Sequence, residues 1–278
     1  MISLELPLFE NRDTYEACIS RVRNPAIKHR MALATPAIHA AANEYAILAR
    51  NQALHQLVAH DQIAGVTRSE METTYNSRMV KAGSPGRDIY DAIMAAPHDG
   101  RCPYCGQRVV STLDHVLPKS LYPAYAVAPV NLVPSCSDCN KLKLDDDPAT
   151  AVEVYLHPYF DDVEQCVWLA AQVVERSPAA LVYSVVPCVE WDATQQERLL
   201  RQFQRLHLGR LYALESANEL TAIRYSLEMI FEAGGAEQVE GFLREQEVSA
   251  RHARRNWWRA SAYLAWADSN WFCEGGFR

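Results

Sequence analysis

The chain lacks any overall excess of positive charge. Its 278 residues carry a formal net charge of −7, and the pI is about 5.7. An acidic protein can bind nucleic acid only through a local basic patch, so total charge does not indicate such a partner. The sequence also contains no internal repeat and no low-complexity tract. Any function must therefore be argued from particular residues.

Export and membrane segments are missing as well. Met1–Glu10 has no basic stretch followed by an apolar run, so no secretory signal is predicted. The segment Ser120–Ser137 carries no charge, but three prolines interrupt it, which favours a loop over a membrane span. We therefore expect a cytoplasmic protein with no membrane partner.

Eight cysteines are present, and their spacing separates them into two groups. Disulfides are rare in a reducing cytosol, so none is expected here. Two Cys-x-x-Cys motifs account for four of them. The other four are isolated, and the first three of these are expected to pack in the core: Cys18, Cys166, Cys188 and Cys273.

The pattern of apolar residues predicts an α+β fold that is mainly helical. Helical periodicity covers 1–96, and it includes a capping box, Thr67-x-x-Glu70, followed by Tyr75 on one apolar face. Periodicity stops over 97–148, where Gly, Pro, Cys and Asn cluster. The remainder, 149–278, is predicted to be mixed and then helical. These three ranges are the expected domains.

Within the last region, two β-rich runs flank Ser177-Pro178 and predict a small β-hairpin. The helices that follow are expected to break at Gly234-Gly235, because glycine commonly ends a helix. A final helix is predicted over 237–267.

The two Cys-x-x-Cys motifs predict a structural zinc site. Zn²⁺ in such sites takes four ligands in a tetrahedron, and Cys102, Cys105, Cys136 and Cys139 supply four thiolates. Gly106 directly follows the first motif, where the turn needs a positive φ. A redox dithiol is the alternative, but no thioredoxin-like βαβ pattern surrounds the cysteines. A closed four-thiolate site has no open position, so its metal should not perform chemistry.

A second set of residues is not explained by a zinc site. His115 can act as a base at neutral pH, and Asp114 and Asn140 offer oxygen ligands for a divalent ion. Each residue alone has an ordinary explanation, since an Asp-His pair is commonly a loop or cap and Asn140 can cap a helix. Neighbours on a strand point to opposite faces, so Asp114 and His115 are expected to need a bend to share a site.

Taken together, residues 102–144 resemble the HNH endonucleases, within the ββα-metal nucleases. The likeness is strongest to members with a four-cysteine zinc site and Asn as the last motif residue. It implies that His115 is the general base and that Asp114 and Asn140 hold one catalytic divalent ion, Mg²⁺ or another. It also implies that Asn131 ties the loop and orients His115, and that cleavage leaves a 5′-phosphate and a 3′-hydroxyl.

Several further residues are weighed between a functional and an ordinary role. Lys119, Lys141 and Lys143 are predicted to contact phosphates, or else to be solvated lysines. His157 is expected to be structural rather than part of the site. The Arg251, Arg255 and Arg259 series beside Trp257-Trp258 could grip nucleic acid, but a solvated arginine face is favoured. Asp114–Pro123, with His157–Asp161, also resembles HNH proteins of bacterial anti-phage and mobile-element loci.

The sequence thus predicts a metal-dependent HNH endonuclease that hydrolyses phosphodiester bonds in nucleic acid. DNA is the favoured substrate and bacterial defence the favoured setting. The alternative is a zinc-stabilised, non-catalytic nucleic-acid-binding or adaptor protein. The large helical share of the chain suggests a regulatory protein partner, such as an ATPase that gates the nuclease.

Overall fold

A computed structural model describes all residues of the chain, Met1–Arg278. Helices account for 54% of the residues and the strands form only small antiparallel pairs, so the predicted α+β, mainly helical class is confirmed. The chain divides into two compact units, residues 2–162 and residues 163–278 together with Met1. None of the helices is both long and apolar enough to cross a membrane.

The first unit begins with helices whose ends follow from local sequence. Asn24 caps the second helix by accepting hydrogen bonds from two backbone N–H groups, with Pro25 at the first helical position. The predicted capping box of Thr67 and Glu70 is present at the start of α4. The helices of this part are α1 (Asn11–Ile19), α2 (Pro25–Leu33), α3 (Thr35–Arg50), α4 (Arg68–Tyr75) and α5 (Arg87–Met94).

A short hairpin, β1 (Gln62–Ile63) with β2 (Val66–Thr67), precedes α4. After α5, the same unit contains a separate ββα arrangement of two antiparallel strands and a helix. Strand β3 (Thr112–His115) pairs antiparallel with β4 (Leu132–Ser135), and helix α6 (Ser137–Lys143) comes directly after. The register places His115 opposite Leu132 and Asp114 opposite Val133.

The helical core of this unit includes one face of the ββα strands. Leu113 on β3 and Leu132 on β4 belong to the same buried cluster as Met71 and Tyr75 of α4. The loop residues Ala126 and Val127 are also members. Because close-packed interiors hold side chains in fixed positions, this shared core fixes the strands that carry Asp114 and His115.

The second unit contains the predicted hairpin and three helices. Strand β5 (Leu169–Val174) pairs antiparallel with β6 (Ala180–Val185), and the Ser177–Pro178 peptide bond between them is cis. The helices are α7 (Ala193–Arg205), α8 (Leu208–Ala253) and α9 (Trp258–Ala267). Gly235 has a non-helical backbone with φ of 70°, so α8 consists of two helical parts that meet at a kink there, as Gly234-Gly235 predicts.

Two expectations from the sequence are wrong in this unit. Cys166 and Cys188 form a disulfide across the two ends of the hairpin rather than packing as separate thiols, with their Cα atoms 6.0 Å apart. The final helix predicted over 237–267 is instead the end of α8 and the separate α9. Arg254 at the end of α8 has an extended backbone, so the chain turns there before Trp258.

Candidate functional site: a four-cysteine cluster beside a buried Asp-His pair

The four cysteines of the two motifs come together in the first unit. The Sγ atoms of Cys102, Cys105, Cys136 and Cys139 all lie within 4.8 Å of one another, and all four residues are buried. Zn–S bonds of about 2.3 Å give a tetrahedron with sulfurs about 3.8 Å apart, so the cluster fits a zinc ion. The donor set is complete without water, as in structural sites.

Local backbone geometry positions these sulfurs. Gly106 has φ of 65°, as its place after the first motif predicts, and its N–H donates to Cys102 O at 2.7 Å. The Arg108 N–H then donates to Cys105 Sγ at 3.4 Å. Cys136 is the N-cap of α6, and its sulfur accepts from the Cys139 N–H at 3.4 Å. Backbone donors of this kind stabilise thiolates.

His115 ends strand β3, and its ring is held by two contacts. Its Nε2 lies 2.9 Å from Ala126 O and must be the donor, because a carbonyl oxygen only accepts. The Tyr75 ring packs edge-on against it, with centroids 4.5 Å apart. Burial and, after it, the charge of nearby Lys119 lower the pKa of His115 to about 3, so the ring is neutral at pH 7. In that neutral ring, Nδ1 carries the lone pair.

Asp114 precedes His115 on the strand and is buried among different side chains. Its Oδ2 accepts a hydrogen bond from the Tyr104 hydroxyl at 2.8 Å and lies 3.3 Å from Lys143 Nζ. Burial raises the pKa of Asp114, and the Lys143 ammonium and the Tyr104 hydroxyl oppose that rise. The Lys143 ammonium shows that this carboxylate can accept a cation.

The two residues are nevertheless electrostatic neighbours. After burial, which is the largest influence on each, the charges of Lys119 and Lys143 lower the pKa of both Asp114 and His115. The same two positive charges therefore act on the carboxylate and on the imidazole. The bend expected between Asp114 and His115 is absent, since both lie in the regular register of β3 with β4, and their side chains therefore leave opposite faces of the strand.

Asn131 lies just before β4 and is completely buried. Its Oδ1 accepts from the Leu117 N–H at 2.8 Å, and its amide group donates to Leu117 O at 3.0 Å and to Tyr125 O at 3.2 Å. Its own backbone carbonyl accepts from the Val116 N–H at 3.0 Å. Asn131 therefore ties the segment that follows His115 to the segment that carries Ala126.

The remaining predicted residues differ in exposure. Asn140 is half-buried in the middle of α6, Lys119 is half-buried, and Lys141 is exposed. Lys143 is 1% exposed and points to Asp114 rather than to solvent. Lys119 Nζ lies 5.5 Å from the centre of the Tyr75 ring, on the aromatic that packs against His115.

His157 and the arginines near Trp257-Trp258, for which the sequence allowed a functional or an ordinary role, are held by contacts within the protein. His157 is 1% exposed and lies 3.1 Å from both the Tyr45 hydroxyl and Val130 O. In the second unit, Arg259 pairs with Glu219, and Arg255 donates to backbone carbonyls at 164 and 165. The structural role expected for His157 is confirmed, whereas the expected solvated arginine face stays a prediction, with Arg255 and Arg259 bonded within their own unit.

Two tyrosines at the site were not predicted as site residues. Tyr104 lies between the first two cysteines and reaches Asp114, and Tyr75 lies on the predicted apolar face of α4 and reaches His115. Nothing in the sequence marks Tyr104 as a partner of Asp114, because their contact depends on how the chain folds between them. Tyr75 gave no signal, because an aromatic on an apolar helix face is ordinarily a core residue.

Comparison with known proteins agrees with this geometry. Residues 102–146 match the HNH endonuclease family, and this segment contains all four cysteines as well as Asp114 and His115. The ββα unit therefore lies within the segment that is similar to the HNH endonuclease family. The chain is 28% identical over 231 residues to Protein ea31 of Escherichia phage lambda. The aligned region covers 77% of this chain and 76% of that protein. No solved structure matches the chain.

Proposed function

We propose that this protein is a metal-dependent endonuclease that hydrolyses phosphodiester bonds in DNA through its HNH domain. The observation that carries the proposal is the orientation of His115. Its Nε2–H is committed to Ala126 O at 2.9 Å, so the remaining ring nitrogen is the one able to accept a proton. An imidazole that is neutral and fixed in this tautomer has one ring nitrogen able to accept a proton, as a general base requires.

In the proposed reaction, Nδ1 of His115 takes a proton from water as the water oxygen bonds to phosphorus. The bond from phosphorus to the 3′ oxygen breaks, and that oxygen receives a proton from solvent. The products are a 5′-phosphate and a 3′-hydroxyl. His115 keeps 9% of its surface exposed, so it is not completely closed off from a phosphate.

Asp114 and Asn140 are the proposed ligands of a catalytic divalent ion, Mg²⁺ or another. Asn140 and Lys143 are three residues apart on α6, so they lie on the same side of that helix. Lys143 reaches Asp114, which supports placing the Asn140 side chain toward the same carboxylate. A divalent ion bound there would stabilise negative charge on the phosphate and on the leaving oxygen.

The other residues position these groups or face the substrate. Asn131 is proposed to orient His115 by fixing the loop that presents Ala126 O. Lys119 and Lys141 are the proposed phosphate contacts, since neither is fully buried. Zinc is the proposed occupant of the four-cysteine cluster, with a structural role only.

One observation favours a second function, that of a zinc-stabilised nucleic-acid-binding or adaptor protein without catalysis. Asp114 is only 3% exposed and already has a cationic partner, which is an arrangement that a purely structural carboxylate would share. We favour the nuclease because the segment that contains Asp114 and His115 is similar to the HNH endonuclease family.

The biological setting is proposed from similarity. The similarity to a protein of Escherichia phage lambda supports a role that involves phage, and bacterial defence is the setting that we favour. A cytoplasmic location follows from that role. The second unit, 163–278, lies outside the HNH match and is the proposed docking region for a regulatory protein such as an ATPase.

The test is a cleavage assay with the full-length, zinc-loaded protein. Supercoiled plasmid, linear duplex DNA, single-stranded DNA and RNA are each incubated with Mg²⁺, Mn²⁺ or Ni²⁺, and with EDTA. We expect nicking or cleavage of DNA in at least one metal, with none in EDTA, and 5′-phosphate ends by end-labelling. Binding to DNA without cleavage under every condition would instead support the adaptor function.

A further inference from the structure

The ββα unit contains a positive charge that is almost entirely removed from solvent. Lys143, the last residue of α6, is 1% exposed, and its Nζ lies 3.3 Å from Oδ2 of Asp114, which is 3% exposed. Lysine is almost never this deeply buried unless it has a partner, because an ammonium loses a large hydration free energy there. The carboxylate of Asp114 is that partner.

The ammonium lies in a cage of groups that suit a cation. Val116 O accepts from Nζ at 3.4 Å, and the Tyr155 ring centroid is 4.6 Å from Nζ. Tyr104 donates to the same Asp114 oxygen at 2.8 Å. A carboxylate oxygen, a carbonyl oxygen and an aromatic face together stabilise positive charge in a low-dielectric site.

We propose that Lys143 is an internal counter-ion that competes with the divalent ion for Asp114 and so weakens divalent-ion binding. The inference rests on the proposed function, in which Asp114 is a ligand of that ion. The Asp114 oxygen that accepts from Nζ also accepts from Tyr104. A divalent ion would be a third partner of that atom and a second cation beside it, so it would have to displace the ammonium or bind against its repulsion.

The position of Lys143 on α6 explains why the competition is specific to this site. Lys143 follows Asn140 by one helical turn, so one short helix carries both the proposed ligand and the competing charge. A like charge within a few ångströms is poorly screened when both groups are buried. The metal-free protein then keeps Asp114 paired with Lys143. The divalent ion binds only at a higher concentration than it would need without the Lys143 ammonium.

Mn²⁺ binding to the full-length, zinc-loaded protein tests the inference without using cleavage. The free Mn²⁺ concentration is followed by electron paramagnetic resonance during titration at pH 8. For Lys143→Met, which replaces the ammonium with an apolar chain of similar length, we expect Mn²⁺ to bind at least about tenfold more tightly than to the unmodified protein. Lys143→Gln is the second variant and should shift the affinity in the same direction.

The control variant is Tyr104→Phe. It removes the other hydrogen bond to Asp114 Oδ2 but leaves the charge unchanged, so it should alter Mn²⁺ affinity much less than Lys143→Met does. Zinc content and the thermal midpoint identify which Lys143 variant is folded, and the affinity is compared for that variant. Equal or weaker Mn²⁺ binding by a folded Lys143 variant would overturn the competition.

Asp114→Asn separates this inference from the proposed function. Loss of Mn²⁺ binding in Asp114→Asn, together with tighter binding in Lys143→Met, supports both. Loss in Asp114→Asn with no tightening in the Lys143 variants overturns only the competition. Unchanged binding in Asp114→Asn shows that the ion does not bind at this carboxylate, and both proposals then fail.

Discussion

The side chain of Asn131 forms a two-point hydrogen bond with the backbone of Leu117. Its Oδ1 accepts from the Leu117 N–H at 2.8 Å, and its Nδ2 donates to the Leu117 carbonyl at 3.0 Å. An asparagine amide is shaped like a peptide group, so it pairs with one residue much as a neighbouring strand would. This pairing holds the loop between β3 and β4, where ladder hydrogen bonds are missing.

Replacing Asn131 should therefore destabilise the first unit. Asn131→Ala leaves buried backbone groups at Leu117 without partners, and we expect a loss of about 2–4 kcal/mol in the free energy of unfolding. Urea unfolding measures this loss. Asn218→Ala, on an exposed helical position, is the control and should change stability little. An Asn131→Ala protein as stable as the unmodified one would show that the loop does not depend on this amide.

The zinc site makes a prediction about both metal content and stability. Cys136→Ser should abolish stoichiometric zinc and lower the thermal midpoint, because ligand binding and folding are coupled in such sites. Zinc is measured by a colorimetric chelator after denaturation, and unfolding by calorimetry. Cys273→Ala, which alters a cysteine outside the cluster, should keep its zinc. Full zinc retention in Cys136→Ser would contradict the four-thiolate assignment.

The proposed base makes a prediction about catalysis alone. His115→Ala should reduce plasmid cleavage by at least about a hundredfold, because the general base contributes roughly that much, while zinc content is unchanged. The reason is that His115 is not among the four cluster ligands. His98→Ala removes an exposed histidine and should cleave normally. Cleavage by His115→Ala at the normal rate would exclude His115 as the base.

A pH-dependent prediction concerns Glu70, which both caps α4 and pairs with Arg30. The Arg30 guanidinium lowers the pKa of Glu70, and hydrogen bonds from Thr67 lower it further. A lowered folded-state pKa stabilises the protein fully above the unfolded value, about 4.3, and the stabilisation is lost as the pH falls through the folded-state pKa. Glu70→Gln keeps the cap but removes the charge.

We therefore expect Glu70→Gln to lower the free energy of unfolding by about 1 kcal/mol at pH 7, a value limited because solvent screens this partly exposed pair. At pH 3 the difference from the unmodified protein should shrink. Urea unfolding at both pH values measures it, and Glu72→Gln provides the same change without this pairing. A difference that persists or grows in acid would contradict the assignment to the Glu70 charge.

Much of the fold class and of the HNH segment could be predicted because the information is local. Two Cys-x-x-Cys turns, a glycine with positive φ and a capping box each act over a few residues, and the structure contains all of them. Helix ends were harder to predict. Gly235 breaks the helical backbone of α8, as Gly234-Gly235 predicts, but the break between α8 and α9 was missed because residues 254–257 contain no glycine or proline.

The disulfide shows a different reason for failure. Cys166 and Cys188 are separated by the whole hairpin, and pairing β5 with β6 brings their Cα atoms to 6.0 Å. The assumption of a reducing environment gave the opposite prediction. Distance in the fold, which the spacing of cysteines along the chain does not give, decided this pairing.

The sequence by itself determined the identities and order of the cysteines and of Asp114, His115, Asn131 and Asn140, because these depend on residue type and short spacing. Only the tertiary structure decided which atoms meet. It placed Tyr75 against His115, turned Nε2 toward Ala126 O and buried Lys143 beside Asp114. Such contacts join segments that are distant in sequence, and the packing of the shared core, rather than any local preference, brings them together.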